Sequence, residues 1–151
     1  MPKASVTINI DASREKVFDI IHDYDRRLQW DTLLRRAELL NGAKKAGLGI
    51  RAVCAAKWSI GGIAIKMEYI VFDPPKAAAI KMVNRPLFLD TFAATIRNEP
   101  INAQQSKVTY IYNFSARPKR LSFILNPIMN WMLSHETKKR LSALKNFLEK
   151  K

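Results

Sequence analysis

Residues 121–151 read LSFILNPIMNWMLSHETKKRLSALKNFLEKK, and this stretch decides the architecture. Asn126-Pro127 has the chemistry of a helix start. Asparagine caps with its side-chain oxygen, and proline at the first helical position gives up no needed N–H. From Pro127 onward there is no glycine and no further proline, while Leu, Met, Ala, Lys, Glu and Arg dominate. At a rise of 1.5 Å per residue such a helix is about 35 Å long, the span of a small domain. It needs a large apolar surface to lie on. Its halves are unlike. Ile128, Met129, Trp131, Met132 and Leu133 cover most of the circumference of the first half, which implies burial on several sides or a waiting partner. Plain core packing is the simpler account of that cluster. In the second half Leu141, Leu144, Phe147 and Leu148 form one stripe between Lys138, Lys139, Arg140, Lys145 and Lys150. The two apolar faces do not line up, so the helix is expected to curve or to be gripped differently at each end.

The preceding chain supplies the surface. Val6, Ile8 and Ile10 alternate with Thr7 and Asn9, the pattern of a half-buried strand. Asp11-Ala12-Ser13 breaks it; Ser13 suits an N-cap and Glu15 suits the first turn of a helix carrying Val17, Phe18, Ile20 and Ile21. Tyr24 to Arg27 ends that helix, and 28–36, with Trp30, Leu33 and Leu34, reads as a second short helix. From Ala37 to about Ala116 the period is that of strands. Ala37 to Leu40 closes at Asn41-Gly42, and Gly49 to Ser59 puts Ile50, Ala52, Cys54, Ala56 and Trp58 on one face. Gly61-Gly62 reads as a hairpin turn, after which Ile63, Ile65, Met67, Tyr69 and Val71 point inward as far as Phe72. Ala77 to Val83, Leu87 to Asn98, a polar loop from Glu99 to Ser106, and a last strand with Val108, Tyr110, Tyr112 and Phe114 complete the series. The order is strand, two short helices, six strands, one long helix. That is an α+β fold with a seven-stranded antiparallel sheet, one face of which the final helix must cover. Bent round the helix, the sheet encloses a cavity where its residues are as small as Ala52, Ala56 and Ala94.

The chain of 151 residues fits one domain, 1–151, with 48% hydrophobic and 26% charged residues. A single cysteine, Cys54, excludes an internal disulfide framework and a cysteine-rich zinc site, and reads as a buried thiol. No basic-then-apolar leader and no apolar run near the ~20 residues of a membrane span is visible, so a cytoplasmic location is expected. The net charge of +13 is uneven: residues 1–40 sum to zero, 41–116 to +6 and 117–151 to +7. Such a field attracts nucleic acid, anionic lipid or acidic ligands, or serves solubility alone.

The order of elements resembles the START-related helix-grip superfamily, which includes polyketide cyclases, aromatases and lipid-transfer domains. The matching stretches are VTINIDASREKVFDIIHDYDRRLQWD at residues 6–31 and LSALKNFLEK at residues 141–150. The family often has a proline just before the tryptophan, where this chain has Leu28-Gln29. The resemblance implies a helix-grip fold with a hydrophobic ligand cavity and does not by itself imply an enzyme.

Catalytic constellations are scarce. His22 and His135 are the only histidines, so a multi-histidine metal site is impossible and no metal or cofactor is expected. His22-Asp23-Tyr24-Asp25 crowds ligand-type residues at a helix end and reads as capping and surface charge. Ser134-His135-Glu136 lies along one helix with its side chains facing different ways, so it is no triad. No phosphate loop, dinucleotide fingerprint or nucleophile elbow occurs. His135 is near Trp131 and Met132 and is either a cavity imidazole or a partly exposed helix histidine. Tyr69, Tyr110 and Tyr112 should point inward, where a hydroxyl must find a partner or ligand. Asp90, odd in an apolar strand, is either an inward polar anchor or, more simply, an edge-strand charge.

The first functional reading is a carrier of a lipid-like or polycyclic molecule, as monomer or weak dimer. Its expected lining is Trp58, Met67, Tyr69, Phe92, Tyr110, Tyr112, Trp131, Met132 and His135. Transient docking of the basic surface on anionic membrane would follow, with Trp131 and Phe123 near the portal. The second reading is a cyclase- or dehydratase-type enzyme using a cavity tyrosine or His135 to move a proton. Nucleic-acid binding comes third, for want of a docking motif.

Overall fold

The computed structural model describes residues 3–58, 62–86 and 89–149. Strand β1 (Lys3–Ile10) leads through the N-cap Ser13, whose hydroxyl accepts from the Lys16 N–H, into helix α1 (Arg14–Ile21). Val17, Phe18, Ile20 and Ile21 bury the inner face of α1. Strands β2 (Leu34–Leu39), β3 (Arg51–Ala56), β4 (Ala64–Asp73), β5 (Ala77–Met82), β6 (Leu89–Asn102) and β7 (Gln105–Ala116) follow. Helix α2 (Ser122–Glu149) closes the chain. All pairings are antiparallel, and the sheet order is β1-β7-β6-β5-β4-β3-β2, so the first two strands form opposite edges. The sheet curls round α2, which packs on β1 and β7. Among the described residues no helix is long and apolar enough to cross a membrane.

Four expectations are corrected. The second short helix shrinks to one 3₁₀ turn, Arg27–Gln29, because Leu34 onward joins β2 against β3. Glu99 to Ser106 is not a loop: β6 and β7 run through it and turn at Ala103-Gln104. Asp90 is on β6, an inner strand of the sheet and not an edge strand, at an irregularity beyond the last β5 pair, and it pairs with Arg85. Helix α2 begins at Ser122 rather than at Asn126-Pro127. The Asn126 side chain accepts from the Ala116 N–H at 3.1 Å, tying the helix to β7. Pro127 is internal, and the carbonyl it leaves unpaired one turn back belongs to exposed Phe123, where water can satisfy it. Ser59, Gly61, Leu87 and Lys151, at which expected elements began, turned or ended, lie outside the described residues.

The helix meets the sheet along one stripe. Met129, Leu133, Glu136, Thr137, Arg140, Leu141 and Leu144 recur at three- and four-residue steps, and all are buried or half-buried. Its second half packs Leu141 and Leu144 with Ile10, Val17 and Ile21 in the main core. Along the first half, Phe123 (74% exposed), Ile124, Ile128 and Trp131 (70%) stand on the outer face.

Candidate functional site

Between the sheet and α2 lies a cavity of about 120 Å³. One part is apolar. Met129, Met132 and Leu133 face it from α2, Phe92 from β6, and Ile63 and Ile65 from the start of β4. The small side chains Ala56 and Ala94 leave this space open. The other part is polar, built by the turn after α1, by β4 and by the middle of α2.

His22 caps the C-terminus of α1, its backbone N–H bonded to the Phe18 carbonyl at 3.2 Å. Asp23 then accepts from the Asp25 N–H at 3.1 Å, a tight turn that leaves Asp25 in solvent and sends His22 and Tyr24 inward. Tyr69 meets both: its hydroxyl is 2.8 Å from His22 Nδ1 and 2.9 Å from the Tyr24 hydroxyl. A bulge between Tyr69 and Val71 shifts the register there. Val71, expected inward, is therefore exposed, while Phe72 packs edge-on against Phe18, His22 and Tyr69. Burial, with the neighbouring Arg27 charge, drives the His22 pKa down to about 3, so the ring is neutral at pH 7. Its Nε2 is buried without a protein partner among the described residues. Burial pushes the Tyr24 hydroxyl up to about 12 and Tyr69 well above its ordinary value.

Beside them is a buried ionic triad. Arg27 Nε donates to Asp31 Oδ2 at 2.8 Å, and Arg140 on α2 grips both Asp31 oxygens at 2.9 Å. Arg27 also donates to the Ile21 carbonyl at 3.1 Å, satisfying the end of α1. Burial alone would raise the Asp31 pKa, but Arg140 and Arg27 outweigh it and hold it at about 2. Both arginines line the cavity; Asp31 is behind them.

Of the residues expected to line the cavity, Met67, Tyr69, Phe92, Tyr110, Tyr112 and Met132 stand in its wall. Trp58, Trp131 and His135 do not. The Arg35 guanidinium stacks over Trp58 at 4.0 Å and bonds the carbonyls of Ala56 and Gly62, holding the indole on the outside, 75% exposed. Gly62 has a φ of +65°, and a Cβ there would overlap that indole. Trp131 is two residues from Met129, about 200° round the helix, so it faces solvent when Met129 faces the sheet. It stacks on His135, also exposed, with ring centroids 5.5 Å apart.

Sequence reasoning missed His22, Tyr24, Arg27, Asp31 and Arg140. Polar residues crowd round the first two, and such a pattern points to the surface. By charge pattern Arg140 is one of the cations flanking the apolar stripe, yet it sits on the stripe itself. The spacing Met129, Leu133, Glu136/Thr137, Arg140, Leu144 was the available signal. Tyr112 shows how the wall is tied to the helix: its hydroxyl is 2.7 Å from the Ser134 hydroxyl. Tyr112→Phe is expected to cost about 1 kcal/mol, read as a lower urea midpoint at unchanged slope.

A curled antiparallel sheet gripping a long terminal helix over such a cavity defines the START-like helix-grip class. Within that class, the chain belongs to the family described as polyketide cyclase/dehydrase and lipid transport, whose model matches residues 1–149. Among solved structures it is similar to a START superfamily protein from Mycobacterium smegmatis, with 11% identity, 97% of each chain covered and a TM-score of 0.78. It is also similar to the Zhui aromatase/cyclase from Streptomyces sp. R1128: 12% identity, 98% of this chain and 93% of that one, TM-score 0.80. Truncated norcoclaurine synthase from Thalictrum flavum matches at 11% identity over 99% and 94%, with a TM-score of 0.71. At these identities the likeness is one of fold. No curated protein sequence matches the chain significantly.

Proposed function

We propose that the chain binds and carries a hydrophobic small molecule, lipid-like or polycyclic, in the cavity between sheet and α2. One observation favours carriage over catalysis. Three polar groups of the cavity wall are held away from the protonation changes that catalysis near pH 7 needs: His22 stays neutral and Tyr24 and Tyr69 stay protonated. Organic extraction of the purified protein followed by mass spectrometry tests the reading. A lipophilic compound at near-stoichiometric amount is the expected result. An empty protein whose melting temperature no hydrophobic compound shifts would contradict it.

The outer face of α2 completes the proposal. Phe123, Ile124, Ile128 and Trp131 are exposed together, with Lys119 and Arg120 exposed just before them and Lys138 and Lys139 two turns after Trp131. Apolar side chains between cations suit an anionic bilayer surface, into which rings insert while lysines meet headgroups. Co-sedimentation with phosphatidylglycerol vesicles but not with phosphatidylcholine vesicles is expected. The Phe123→Ser/Trp131→Ser variant should lose it with its melting temperature unchanged, since both side chains are solvent-exposed.

A second reading, a cyclase- or dehydratase-type enzyme, draws on the hydrogen-bonded chain His22–Tyr69–Tyr24 in the cavity wall. It requires that Tyr24→Phe abolish turnover of a bound polycarbonyl substrate while binding persists.

A further inference from the structure

We propose that the cavity's ligand carries a carboxylate, or an equivalent monoanionic oxygen group, seated against Arg27 and Arg140. The inference rests on the cavity-binding reading above and names the chemistry of what is bound.

Charge is the first argument. Arg27, Asp31 and Arg140 are 6%, 2% and 8% exposed, so two nearly buried guanidiniums share one carboxylate. Glu136 is the acid in the cavity wall among the described residues, and its carboxylate is turned toward exposed Lys139, 3.8 Å away. The Arg27–Asp31–Arg140 triad by itself therefore carries one positive charge in excess at this wall, and Glu136 makes no ion pair with it. A buried charge without a partner is costly, and a ligand anion there would remove that cost.

Hydrogen bonding is the second, independent argument. A guanidinium has five N–H groups and no acceptor. Arg27 uses Nε on Asp31 and one terminal nitrogen on the Ile21 carbonyl, while Arg140 uses Nε and one terminal nitrogen on Asp31. The remaining N–H groups have no protein acceptor among the described residues. His22 Nε2, on a ring 8% exposed in the same wall, is likewise without a protein partner. Terminal nitrogens from two elements that lack a protein acceptor and stand at one cavity can receive an oxygen-rich group, and the buried Nε2 of His22 beside them, a donor when Nδ1 accepts from Tyr69, needs a partner. Arginine suits carboxylate recognition because its planar fork matches two oxygens at once. The apolar part of the cavity, under Met129, Met132 and Phe92, would take the hydrocarbon.

The test compares matched probes on the native chain by isothermal calorimetry at pH 7.5: decanoate against decanol, and 2-naphthoate against 2-naphthamide. The acid of each pair is expected to bind on the order of tenfold more tightly, a preference kept in 0.5 M NaCl because the site is buried. A preference of threefold or less, or one that salt abolishes as capture by the basic exterior would be, overturns this inference and leaves cavity binding standing. No binding of any of the four overturns the cavity reading as well. Arg140→Met, if it folds, should bind decanol as the native chain does and lose the preference for decanoate; equal discrimination in this variant overturns the proposal. If it does not fold, the probe pairs on the native chain decide.

Discussion

Asp31→Ala is expected to lower the unfolding free energy by about 3–5 kcal/mol, the range found when one member of a buried ion pair is removed. The substitution deletes the one carboxylate between two guanidiniums, leaving Arg27 and Arg140, both nearly buried, to repel each other. It also strips three arginine hydrogen bonds and the one from the Leu33 N–H, 3.1 Å from Asp31 Oδ1, which sets the chain's entry into β2. Against a total stability of about 5–15 kcal/mol for an ordinary domain, this is a large fraction. Asp31→Asn keeps the shape and one acceptor oxygen, so its cost should be smaller. Urea titration of both variants gives the ranking. A loss under 1 kcal/mol for Asp31→Ala would mean that the guanidiniums find other partners or water, and the triad would not be the clamp between α2 and the turn after α1.

That clamp also explains why the sequence is easier to read for architecture than for site. Strand alternation in β1 and β7 is governed by one buried face, so Val6 and Tyr110 point inward as their spacing requires. The long helix is legible because nothing after Pro127 disfavours it, although its start is not: Asn126 could cap, but tertiary pairing with Ala116 extends the helix by a turn. The apolar stripe of α2 is interrupted for a physical reason. Its middle turn faces the polar part of the cavity, so Glu136, Thr137 and Arg140 stand where apolar residues would mark a face. Pattern reading equates inward with apolar, and it fails where a site is built. The same rule sent His22 and Tyr24 to the surface and Trp58 and Trp131 into the cavity. An aromatic ring held on the outside by Arg35, or facing outward by helical phase, leaves no trace in composition.

Acidification should expose His22 directly. The folded ring has a pKa of about 3 against 6.5 in an unfolded chain, because charging it would desolvate a cation beside Arg27. Between those values the unfolded state binds a proton that the native state does not, so stability rises with pH and is lost as pH falls. His22 thus contributes its full share above pH 6.5 and progressively less down to about pH 3, with a loss of about 3 kcal/mol by pH 4.5 at 1.36 kcal/mol per unit. Asp31, held at about 2 against an ordinary 3.8, acts in the same direction but only at lower pH, as the pH falls from about 4 toward 2. The range from 6.5 to 4.5 therefore belongs mainly to the histidine. His22→Phe retains the ring contacts with Phe18 and Phe72, whose centroids are 4.5 and 5.8 Å away, and removes the titration. Urea titrations at half-unit steps should show the native chain losing stability across this range, with most of that slope absent in the variant. Equal slopes in the two proteins would mean that His22 takes up its proton while folded. The ring could then donate a proton to a bound molecule near neutral pH, and the balance between carriage and catalysis would tip toward the enzyme.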